Sequence, residues 1–119
     1  MIDLKEYVYQ TLSVLDIPVH YFYPPENADL PCVSWREAEN RVAAQADTNE
    51  HLTELAYVVD VWGLSAFVNG QKAAQIDTLM AGAGFRRAFA YDLYEPGTKI
   101  HHKTMRYRVI SDPQQNLTQ

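Results

Sequence analysis

Acids and histidines crowd together in one stretch of this chain, "YDLYEPGTKIHHKTMRYR", running from Tyr91 to Arg108. Asp92 and Glu95 precede two adjacent histidines, His101 and His102, and a basic run follows. Residues of these types can ligate a metal or form a His–carboxylate acid–base pair. They can equally form the polar edging of a β-hairpin. Pro96-Gly97 favours a turn, because proline presets one dihedral and glycine accepts a positive one. Neighbouring side chains in a strand point to opposite faces, so His101 and His102 cannot both reach one ion from a regular strand. The hairpin register decides what each histidine meets. With "PGTK" as the loop, Tyr94 faces His101 and Leu93 faces His102. With "PGT", Asp92 faces His102; with "EPGT", Asp92 faces His101. One His–carboxylate pair falls short of the three or more protein ligands that a metal site needs.

The remaining histidines, His20 and His51, lie in other segments without ligand spacing. The expectation is therefore a hairpin with no metal, no cofactor and no catalytic residue. Met105, Tyr107 and Val109 form its inward row, and Thr104, Arg106 and Arg108 its outward row. His101 falls in register with the first row and His102 with the second. Other catalytic templates are missing. "GAG" at Gly82–Gly84 ends a helix, whereas a phosphate-cradling loop starts one. No nucleophile elbow occurs. Glu37 and Glu39, placed on one strand face, read as solvated charge. Cys32 is the single cysteine, which excludes an internal disulfide and fits a small apolar residue in a strand.

Several elements must position that hairpin. Leu4, Val8, Leu12 and Leu15 make a helical stripe. Asp3 and Glu6 are spaced as a capping box, and Asp16-Ile17-Pro18 is expected to end the helix. "VHYFY" reads as a short strand and "PPENADLP" as a connection. Cys32 to Glu39 alternates, with Val33 and Trp35 on one face and Ser34 and Arg36 on the other. Residues 40–54 are polar and lack aromatics, which predicts a long loop or the mobile tip of a hairpin. "LAYVVDVWG" is apolar on both faces and predicts a central strand. Asp60 within it needs a named partner if buried. Ser65 caps a helix over 66–83, with Gly70 costing about 1 kcal/mol relative to alanine and Gly84 supplying the left-handed stop. Strands over 85–94 and 100–110 close the chain.

The order α-β-β-β-α-β-β predicts one α+β domain over 1–112, a largely antiparallel or mixed sheet packed against two helices. Residues 113–119 are expected to be a flexible tail. A length of 119 residues suits one domain, and 47% hydrophobic with 12% aromatic content supports a core. The formal charge of −5 argues against general nucleic-acid binding, which needs a basic face. No stretch is long and apolar enough for a membrane span, and charges appear at once after Met1, so the expected location is the bacterial cytoplasm. Eight tyrosines and two tryptophans exceed what a small core needs, and the surplus suits protein contact.

Taken in order, "PCVSW", "YVVDVWG", a helix ending in "GFRR", and the final hairpin with Asp92, His102, Lys103 and Arg106 resemble the tail-completion proteins of long-tailed phages and prophages. These are also called tail terminators or tail-to-head joining proteins. The resemblance spans nearly the whole chain, though His101 is an addition to the pattern and 40–54 has no match in it. It implies a structural protein rather than an enzyme, acting as a ring, commonly a hexamer, on the head-proximal end of the tail tube. The implied partners are other copies of itself, the tail tube protein and the head connector. The implied location is the virion tail after cytoplasmic assembly. Candidate contact residues are Tyr94, His102, Arg106 and Arg108 at the final hairpin, with Asp47 and Glu50 as the acidic counterpart. The rival expectation is a small ligand- or protein-binding domain of a bacterial host, without catalysis.

Overall fold

The computed structural model describes residues 1–45 and 51–119. Its elements are α1 (Lys5–Leu12), β1 (Val19–Tyr21), β2 (Cys32–Gln45), β3 (His51–Gly63), α2 (Ala66–Gly82), β4 (Arg86–Glu95), β5 (Ile100–Ser111) and β6 (Leu117–Thr118). The sheet order is β1-β2-β3-β5-β4, with β6 on β5. β1 runs parallel to β2 and every other pair is antiparallel, so this is a mixed sheet in an α+β fold. β3 lies at its centre, as its two-sided apolar run predicts.

Both helices cover one face. Val8 and Leu12 of α1 and Ala73, Ile76 and Met80 of α2 pack on Val33, Trp35, Leu55, Tyr57, Val59, Val61, Met105, Tyr107 and Val109. These sheet residues are alternate positions of their strands, which puts one continuous apolar face under the helices. Ser65 caps α2 by accepting from the Val68 N–H at 3.3 Å. Gly84, at φ 101°, turns the chain into Phe85, which is buried. No helix among the described residues is long and apolar enough to cross a membrane.

Three expectations need correction here. α1 ends at Leu12, before Asp16-Ile17-Pro18, and Ser13 donates its hydroxyl back to the Tyr9 carbonyl. Its start has no capping box; Asp3 Oδ1 accepts from the Lys5 N–H at 2.9 Å, which holds the Asp3 carboxyl below its ordinary value. Of the two expectations for 40–54, a long loop or the tip of a hairpin, the described parts show paired hairpin strands and not a loop. Arg41 faces Glu54 and Val42 faces Thr53, so β2 and β3 form a long paired hairpin. Residues 46–50, which include Asp47 and Glu50, lie outside the described residues.

The expected flexible tail at 113–119 is docked instead. Asp112 accepts from the N–H groups of Gln114 and Asn116 and from the Asn116 side chain, folding the chain back. Leu117 then pairs with Ser111 and packs on the core. β3 occupies the other side of Ser111, so β6 continues the edge on which β4 lies.

Candidate functional site

The hairpin register is that of the "PGTK" loop. Glu95 faces Ile100, Tyr94 faces His101, Leu93 faces His102, and Asp92 faces Lys103. Neither His–Asp pairing within the hairpin exists. Asp92 instead holds Lys103 Nζ at 3.1 Å. His101 and His102 take opposite faces as expected, the first beside Tyr94 with ring centroids 4.6 Å apart, the second on the face away from the helices.

His102 finds its acid on β3. Its Nε2–H donates to Asp60 Oδ1 at 2.8 Å, and Arg36 Nη1 lies 3.5 Å from the other Asp60 oxygen. The imidazole stacks on Trp62 at 3.7 Å and 13° between planes. Trp62 in turn donates Nε1–H to Ser34 Oγ at 2.9 Å. Asp60 is buried, and the His102 ring N–H and the Arg36 guanidinium answer the requirement for a partner.

The same face carries a second set of charges. Arg106 bonds Glu39 at 3.0 Å, Glu39 also holds Arg41 at 2.5 Å, Arg41 pairs with Glu54, and Glu54 lies 3.3 Å from Arg108. β2, β3 and β5 are thus laced together across their outer face by alternating charges. Glu37 does not join them. Glu37 continues the helix-side alternation of Val33 and Trp35, and a β-bulge between Glu37 and Glu39 shifts the register and puts Glu39 on the outer face. The expectation that the two acids share a face is therefore wrong. Glu37 accepts from the buried Tyr57 hydroxyl at 3.1 Å. Burial first, and then the Glu37 charge, push the Tyr57 phenol up. Tyr107 is held likewise by Asp77 at 2.9 Å.

Of the candidate contact residues, the structure brings His102, Arg106 and Arg108 onto one face and puts Tyr94 on the other. Arg106 and Arg108 are half-buried and pair with Glu39 and Glu54 within the subunit, while Arg108 Nε is buried without a hydrogen-bond partner among the described residues. Asp60, Trp62, Arg36, Glu39, Arg41 and Glu54 complete the array. Asp60 alone carried a signal in the sequence, as a charge inside the most apolar strand. Among the described residues no cluster of three or more His, Cys, Asp or Glu side chains could hold a metal ion. The arrangement ties β2, β3 and β5 together across their outer face.

A family model described as "Tail completion protein gp17" matches residues 12–112. The chain belongs to that family. It is a structural protein of a phage tail and not an enzyme. Among solved structures it is similar to a chain from "Virion of native gene transfer agent (GTA) particle", with a TM-score of 0.67 and 17% identity. That match covers 85% of this chain and 88% of the other. At that identity the likeness is one of fold. No curated protein matches the sequence. The tail-completion family accounts for a site made of sheet surface and edges rather than of a cleft.

Proposed function

We infer that this tail-completion protein closes the head-proximal end of the tail tube as a ring of its own copies and provides the surface to which the head connector joins. The observation that carries the reading is the family match across residues 12–112, which takes in every element of the fold except most of α1 and β6. The geometry supports it. A chain whose outer sheet face is closed by its own ion pairs offers its edges and ends for contact. Ring closure needs two different surfaces per subunit, since a head-to-tail contact repeats until it meets itself. The surfaces proposed are the final hairpin, with Tyr94, His102, Arg106 and Arg108, and the acidic segment with Asp47 and Glu50. The partners are neighbouring copies, the tail tube protein and the head connector, met in the bacterial cytoplasm during assembly.

Deleting the gene from an inducible parent phage tests this. Tails of uncontrolled length, or tails that fail to join filled heads, are expected, with rescue by the gene supplied in trans. Normal infectious particles from the deletion would overturn the reading and leave the family's structural role to be sought elsewhere in the tail.

A further inference from the structure

β4 is a sheet edge protected only near its ends, by Arg86 and Arg87 with a bulge and by Asp92 and Glu95. All ten of its residues, Arg86–Glu95, are exposed, and no strand pairs with its outer side among the described residues. One face carries Phe89, Tyr91 and Leu93, each about half exposed at 46%, 51% and 49%. The rings of Phe89 and Tyr91 stack at 5.7 Å. Natural edge strands are blunted by proline, lysine, shortness or bulges, because their unpaired N–H and C=O groups template another strand. β4 contains neither proline nor lysine. Its one bulge, between Arg87 and Phe89, leaves seven regular residues to Glu95.

The sheet has a second open edge at its other side. β1 pairs only with Val33, Ser34 and Trp35, and β2 runs on to Gln45. Beyond Phe22, whose N–H donates to the Trp35 carbonyl, no strand flanks β2 on that side among the described residues. The two edges are compatible in direction but offset along the sheet, since the rows of Phe89 to Leu93 end at Arg36 to Cys32, so pairing beyond Trp35 steps each copy along the strands relative to the last. The pairings in the order β2-β3-β5-β4 are all antiparallel, so β2 and β4 run opposite ways. Copies repeated side by side in one orientation therefore bring β4 antiparallel to the next β2, the more stable pairing.

We propose that β4 of one copy adds to the β2 edge, beyond Trp35, of a second copy of this chain, continuing the sheet from subunit to subunit. This rests on the ring reading and names the backbone edges that make its contact. It leaves Tyr94 and the β4–β5 turn beside the start of the neighbour's open β2 edge, near Glu37–Asn40, and the start of β4 toward the end of that β2. The contact is heterologous, so it propagates around a ring and does not stop at a pair.

Engineered cysteines test it on the full-length protein. Val42 and Ala90 lie on the helix-side face of their strands, facing Thr53 and Met105. Val42→Cys is combined in turn with Ala88→Cys, Ala90→Cys and Asp92→Cys, to scan register. Within one subunit, β2 and β4 are three strand spacings apart, about 14 Å, too far for a disulfide. Oxidation at high protein concentration is expected to give a ladder of linked dimers, trimers and larger species from at least one pair. Each single-cysteine variant is expected to stay unlinked. Failure of all three pairs overturns the proposal, and so does a dimer from a single β4 cysteine, which would mean β4 meets β4. Electron microscopy of the same samples separates the two ideas. Rings without a ladder sink only this contact, whereas neither rings nor ladder sinks the ring reading with it.

Discussion

His102 Nε2–H reaches Asp60 Oδ1 diagonally across the β3–β5 ladder at 2.8 Å, while the residues directly opposite each are Trp62 and Thr104. Such diagonal neighbours are within reach of long and aromatic side chains. The contact joins the histidine of the final hairpin to the buried acid of the central strand. It explains why a carboxylate is tolerated at 3% exposure beside Val59 and Val61.

His102→Ala is therefore expected to lower stability by about 1–3 kcal/mol, because it strips a buried acceptor of its closest donor. Asp60→Ala should cost a similar amount. The double variant should cost less than the sum, with a coupling of about 0.5–3 kcal/mol. Urea denaturation of the four proteins measures it. Additive losses would mean that the pair is not coupled and that Trp62 packing alone explains the histidine. Added zinc should leave all four midpoints unchanged; a stoichiometric zinc site in calorimetry would restore the metal reading of His101 and His102.

What could be read from residues alone divides along a physical line. Periodicity placed α2 and the central strand, since 3.6-residue and two-sided apolar patterns are local. The inward row Met105, Tyr107 and Val109 followed from strand alternation and is buried. The partner of His102 was not legible, because it lies 42 residues away on a strand whose register no local pattern fixes. The Glu37–Glu39 bulge defeated alternation outright. Polarity over 40–54 left a long loop or a hairpin tip open, and the described residues take the hairpin, with Arg41 and Arg108 both paired to Glu54. The C-terminal segment looked flexible because it has no apolar run; a turn at Asp112 and the single apolar Leu117 hold it.

Asp112 should behave as an acid-sensitive latch. The backbone N–H of Asn116 first, then its side chain, hold the Asp112 carboxyl below its ordinary value of 3.8. A carboxyl lowered on folding contributes stability above its unfolded value and loses it as pH falls through the folded one. Hydrogen exchange at Leu117 and Thr118 is thus expected to rise below about pH 4. Asp112→Ala should raise it at pH 7. Unchanged protection in the variant would show that Leu117 packing holds β6 without the latch.

Cys32 is wholly buried, and burial pushes its thiol up to about 11. A thiol-specific reagent at pH 8 should leave the folded protein unlabelled and modify its single cysteine only after denaturation. Rapid labelling of the native chain would mean that the start of β2 opens readily. It would also add a background to the cysteine cross-links.

Charge reversal at the final hairpin separates assembly from folding. Arg106→Glu with Arg108→Glu would set two new acids against Glu39 and Glu54, which now lie 3.0 Å and 3.3 Å from the arginines. Ion pairs at this exposure are worth little singly, about 0–1 kcal/mol each. Like charges in a shared network reverse the sign and leave Arg41 as the only cation between the two acids. A loss of stability of about 1–3 kcal/mol is expected, so a tail defect in this variant would not by itself report a contact. Tyr94→Ala is the cleaner probe. Its ring is half exposed on the opposite face, touching His101, and the described structure gives its hydroxyl no hydrogen bond. Its melting temperature should stay within about 2 °C of the parent, as for a surface substitution outside any network. In complementation it should restore fewer infectious particles than the parent gene. Full rescue by Tyr94→Ala would remove Tyr94 from the contact. Full rescue by the Arg106/Arg108 reversal would show that the laced outer face serves only to hold β2, β3 and β5 together.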